Sequence, residues 1–201
     1  MKRKAIGLLG GSFNPAHEGH LYISNAALQN LKLDAVWWLV SPQNPLKSAS
    51  ELDDFDARIA GAKQIAKSGK IHVSDFERDQ PVSYTANSLT RLVRSYPDCA
   101  FVWLMGADNL AQIPKWYRWE KIFQLCPVAI FDRPGQTYPS LCGRAAQRYR
   151  RSRIFPSVWG KPIQGFAHSP LPAWTFVPYT KHKMSSTQIR KSGKKQGKAC
   201  S

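Results

Sequence analysis

Six short apolar runs divide this chain: Ala5–Leu9, Ala35–Val40, Ile71–Val73, Ala100–Met105, Val128–Phe131 and Trp174–Val177. Each is continuous instead of alternating, the pattern of a strand buried on both faces. Between them lie segments with helical spacing at 20–31, 55–67, 86–95, 116–125 and 141–150. Strands alternating with helices predict one doubly wound parallel α/β sheet of Rossmann-like type, with ligands at the carboxyl ends of the strands. The expected domain spans residues 1–190. A basic tail, 191–201, carries too little apolar surface to offset the entropy of ordering.

The first strand leads into Gly10-Gly11-Ser12-Phe13-Asn14-Pro15-Ala16-His17-Glu18-Gly19-His20. Glycines let a phosphate approach the backbone, and a helix start offers unpaired N–H groups and the positive end of the macrodipole. His17 and His20, three apart, fall on one face if both are helical. Such a pair is also found half-solvated or as a metal-site fragment. Zinc is not expected, because no cysteine lies near enough in sequence to complete a ligand set.

A second polar cluster, Met184-Ser185-Ser186-Thr187-Gln188-Ile189-Arg190, lies about 165 residues after the histidines. Its hydroxyls suit either an ordinary helix cap or a phosphate, and Arg190 adds a planar charged fork one turn on.

Charge is strongly asymmetric. Of 29 Lys and Arg and 13 Asp and Glu, residues 1–132 hold 15 basic and all 13 acidic side chains, and 133–201 hold 14 basic and none acidic. A basic third of this kind attracts polyanions, whether a nucleoside triphosphate or nucleic acid. No RNA-binding motif accompanies it, so specific nucleic-acid recognition is not expected. No apolar run reaches the length of a membrane span. Cys99, Cys126, Cys142 and Cys200 form no C-x-x-C pair; Cys99 and Cys126 are expected as buried free thiols, and a cytoplasmic location fits that usage.

Taken together, the two signatures resemble the HxGH nucleotidyltransferase superfamily, and the Gly-Gly-Ser-Phe-Asn-Pro-x-His-x-Gly-His version resembles its nicotinate-nucleotide adenylyltransferase family. That resemblance implies adenylyl transfer from ATP to nicotinate mononucleotide, with Mg²⁺ bridging the triphosphate. It implies catalytic roles for His17, His20 and Arg190. ATP contacts would come from Gly10, Gly11, Ser12, Phe13, Asp108, Ser185, Ser186 and Thr187.

For the mononucleotide the resemblance points to Asn44 and Lys47 in the proline-rich loop after the second strand, to Thr85, and to Trp116 with Tyr117. Trp119 is assigned to the core. Read without the resemblance, Thr85 is a helix N-cap, Asp108 caps a helix over 109–113, and Lys47 is a solvated surface lysine. Two alternatives remain beside this reading: another enzyme of the superfamily, such as a pantetheine-phosphate adenylyltransferase, or a non-enzymatic RNA-binding protein. The substrates are the expected partners, and homo-oligomerisation stays open.

Overall fold

Continuous apolar strands need cover on both faces, and the chain supplies it. The computed structural model describes residues 3–42, 52–80, 83–156 and 161–178. Six parallel strands, β1 (Lys4–Gly11), β2 (Ala35–Val40), β3 (Ile71–Ser74), β4 (Cys99–Gly106), β5 (Val128–Phe131) and β6 (Trp174–Val177), form one sheet in the order β3-β2-β1-β4-β5-β6. The order reverses between β1 and β4, whose register pairs Leu9 with Leu104. At that reversal the connections leave in opposite directions and open a crevice at the carboxyl ends of the strands.

Helices α1 (Glu18–Asn30) and α2 (Phe55–Ile65) cover one face, where Ile23, Ala27, Ile59 and Ala62 pack on Leu9, Val36 and Leu104. The other face is covered by α3 (Thr85–Ser95), α4 (Ala107–Gln112), α5 (Trp119–Leu125) and α7 (Arg144–Arg148), with Leu89, Leu92, Leu110 and Phe123 against Ile6, Leu8 and Trp103. A short α6 (Thr137–Leu141) precedes α7. Every residue of β5 and β6 is buried, as their apolar runs demand. Among the described residues no helix is long and apolar enough to cross a membrane.

Several expected elements are redrawn. The helix expected over 116–125 begins at Trp119, because Arg118 takes a left-handed conformation (φ 48°) that an α-helix cannot contain. Trp116 and Tyr117 therefore lie in the turn before it. Of the helix expected over 141–150 only α7 forms: Gly143, extended at φ −70°, ψ 163°, separates it from α6, which ends at Leu141, and Arg150–Ser152 is a 3-10 turn. Cys126 is buried, and burial pushes its thiol up to about 12. Cys99 is only half-buried, since it opens β4 at the sheet's amino end.

Candidate active site

At the carboxyl end of β1 the chain leaves the sheet through Ser12 and Phe13, the latter left-handed at φ 47°. For a bulky aromatic residue that conformation costs about 1–3 kcal/mol and persists only where surroundings hold it. Phe13 is fully buried against Trp38 of β2, ring centroids 5.1 Å apart and nearly parallel.

His17 is not part of the helix, contrary to the expectation that both histidines share a helical face. Its backbone is extended (φ −153°, ψ 169°) and it caps α1. Its Nδ1 accepts from the Gly19 amide at 3.1 Å, and Nδ1 of His20, in the first turn, accepts from the His17 amide at 3.1 Å. The two imidazoles thus replace the Ser and Glu of an ordinary capping box. Reciprocal capping brings the rings closer than helical spacing alone: their centroids are 3.9 Å apart.

This arrangement also selects the tautomer. A ring nitrogen that accepts from an amide carries no proton, so in each neutral ring the N–H lies on Nε2. His20 rests on Phe13 at 4.6 Å, and below it the Trp38 indole donates to Ser24 Oγ, which donates to the His20 carbonyl, both at 2.8 Å. The pair is a set of directed donors on a rigid aromatic floor.

Across the switch point, Asp108 follows β4. It does not cap a helix over 109–113: α4 starts at Ala107 with Gly106 in the cap position. Asp108 Oδ2 instead meets the Arg133 guanidinium at 3.4 Å, while Oδ1 is buried with no hydrogen-bond partner among the described residues. A buried acceptor without a donor is costly. It is well suited to a ligand hydroxyl.

Thr85 opens α3 as its first helical residue, and the cap is Tyr84, whose carbonyl already receives the Asn87 and Ser88 amides. Nearby, the rings of Tyr84 and Tyr117 meet at 4.8 Å, joining Thr85 to the turn that holds half-buried Trp116. Trp119 is buried in the core beside Phe123 and Tyr149. Asn44, Lys47, Ser185, Ser186, Thr187 and Arg190 lie outside the described residues.

Two groups escaped the sequence reading. Arg58, only 4 % exposed, sits on the buried side of α2; burial pulls its guanidinium below the usual range and the Asp53 and Asp54 carboxylates draw it back up. The signal was available: Phe55, Arg58, Ile59 and Ala62 form one stripe with a cation in it. Glu77, beyond β3, is buried near Ser83 and Ser88, whose hydroxyls donate to it; burial pushes its carboxyl up. Glu77, between Phe76 and Arg78 in an otherwise charged stretch, gives no such signal.

Among the described residues no cluster of three or more His, Cys, Asp or Glu is placed to hold a metal ion. The donors gathered at β1 suit an anion.

Residues 8–192 match the model of the cytidylyltransferase-like family. A protein of Methylorubrum extorquens (strain PA1) named "Probable nicotinate-nucleotide adenylyltransferase" is 46% identical over 185 residues, covering 92% of this chain and 98% of that protein. One of the same name from Parvibaculum lavamentivorans is 44% identical over 191 residues, 94% of this chain and 92% of its own. Among solved structures, the Plasmodium falciparum nicotinic acid mononucleotide adenylyltransferase complexed with NaAD has the same fold, with a TM-score of 0.66 at 20% identity over 94% of this chain and 83% of that one.

Proposed function

The chain belongs to the cytidylyltransferase-like family, and from that premise we propose that it transfers the adenylyl group of ATP to nicotinate mononucleotide. The products are nicotinate adenine dinucleotide and pyrophosphate. The family decides for an enzyme over a non-enzymatic RNA binder, and the relatives' names favour a nicotinate nucleotide over phosphopantetheine as acceptor. The observation that carries the reaction type is the capped histidine pair at the carboxyl end of β1.

In the reaction a phosphate oxygen of the mononucleotide bonds to the α-phosphorus of ATP as the bond from that phosphorus to the pyrophosphate oxygen breaks. No protein nucleophile is required. The protein's contribution is positioning and stabilisation of charge on the phosphate oxygens. His17 and His20 donate from Nε2 to the transferring phosphate, and the backbone of Gly10–Phe13 cradles it. Asp108 accepts from a ribose hydroxyl through its unpartnered Oδ1.

Thr85, Trp116, Tyr117, Asn44 and Lys47 are the proposed contacts to the mononucleotide. Ser185, Ser186, Thr187 and Arg190 hold the departing pyrophosphate. Mg²⁺ would enter with ATP and, when bound, would neutralise charge on the triphosphate. The reading places the enzyme in the cytoplasm, which the free thiols of Cys99, Cys126 and Cys142 fit.

The test is a panel of phosphate monoesters offered with ATP and Mg²⁺ and scored by pyrophosphate release. Nicotinate mononucleotide is expected to exceed nicotinamide mononucleotide and phosphopantetheine in kcat/KM. Release with phosphopantetheine alone would overturn the proposal.

A further inference from the structure

Arg58 forms a buried knot of hydrogen bonds to main-chain carbonyls. Its Nη1 donates to the carbonyls of Ser12 and Ser41, both at 2.7 Å, its Nη2 to that of Pro42 at 2.9 Å, and its Nε to that of Asp53 at 3.0 Å. Those carbonyls belong to three separate segments: the turn after β1, the start of the loop after β2, and the approach to α2. One planar fork therefore joins the segment that cradles phosphate to the base of the loop expected over the mononucleotide. The neighbouring backbone bond from the Ser41 amide to the Gly11 carbonyl, 2.9 Å, reinforces the same seam.

We propose that Arg58 is the positioning residue of this site: by drawing the Ser12 carbonyl inward it turns the Phe13 amide N–H toward the phosphate, and it ties that cradle to Ser41 and Pro42 at the carboxyl end of β2. The Ser12–Phe13 peptide is trans, so its C=O and N–H point in opposite directions. A carbonyl held under the cradle means an amide donor at its surface. The flipped peptide would present an oxygen to a phosphate and repel it. The left-handed Phe13 backbone, unfavourable by itself, is the conformation that this bond holds. A fixed seam also sets the distance between the two substrates, on which an in-line transfer depends.

Lysine cannot take over this role, because a tetrahedral ammonium has three donors and no fork to bridge three segments. The inference rests on the adenylyl-transfer reading, which wild-type pyrophosphate release tests separately. In Arg58→Lys, KM for both ATP and nicotinate mononucleotide is expected to rise and kcat/KM for each to fall at least tenfold, in protein with a cooperative melt. A residue that only supported the fold would lower the melting temperature and the active fraction while leaving both KM values unchanged, and that result would overturn the proposal.

A second measurement needs no variant. In the wild-type protein the Phe13 amide proton is expected to shift downfield in an NMR titration with α,β-methylene-ATP. A Phe13 amide that does not respond while the His20 amide does would equally overturn it.

Discussion

The indole of Trp103 occupies the space that a side chain at residue 10 would need. A Cβ on Gly10 would overlap its Cη2 and stand 3.1 Å from its Cζ2. Trp103 is 5% exposed, so its rigid ring has nowhere to go. Gly10→Ala is therefore expected to lower stability by about 1–3 kcal/mol, the range for overpacking a core. Chemical denaturation checks this; a variant as stable as wild type would mean the ring yields.

Gly106 poses a different test, because the atoms around it are side-chain ends. A Cβ there would lie 2.5 Å from Asp108 Oδ1 and 3.1 Å from Arg133 Nε. Both can swing aside, so Gly106→Ala should fold with little loss. The displaced carboxylate would meet the ribose poorly. We expect KM for ATP to rise about 10- to 100-fold, the scale of an ångström-level misplacement, with the melting temperature nearly unchanged; unaltered ATP kinetics would remove Asp108 from the nucleotide site.

On the proposed mechanism His17 combines two roles that substitution can separate. As N-cap it contributes about 1 kcal/mol, which His17→Ala should forfeit and His17→Asn should largely restore, since Asn is among the best capping residues. Neither variant keeps an Nε2–H donor for the phosphate. Both are expected to lose about 10² or more in kcat, as is His20→Ala. Melting curves beside steady-state rates decide this, and recovery of turnover in His17→Asn would show the histidine to be a cap alone.

Glu77 predicts a pH dependence of stability. Burial raises its carboxyl above the ordinary value of 4.5 in the folded state. The folded protein then holds this proton more tightly than the unfolded chain, so the stabilisation is complete below the unfolded value and is lost as pH rises through the folded one. The melting temperature of wild type relative to Glu77→Gln should therefore be highest near pH 4 and decline toward pH 7. A difference constant over that range would show that Glu77 does not titrate there.

The β-strands and the histidine turn were legible in the amino-acid sequence because both are local. A strand buried on two faces announces itself as a continuous apolar run, and all six runs became strands. Two signatures in one order carried the reaction class without any geometry. The alternation of strands and helices also determined that the sheet would be parallel.

What local signals missed depends on contacts between distant segments. Arg58 is 46 residues from Ser12 in sequence, and only the packing of α2 beneath the β1 turn lets one guanidinium serve both. His17 and His20 looked like neighbours on a helix; the reciprocal capping that moved His17 outside it comes from hydrogen bonds to particular amides, which residue spacing does not encode. The residue types of Asp108 and Thr85 favour caps, yet the helices begin a residue or more before the expected first turn, at Ala107 and at Thr85 itself, so neither caps. Residue type determined what each side chain can donate or accept. Tertiary structure decided which partner it meets, because burial removes water as the default partner and leaves only the groups that the fold brings within about 3 Å.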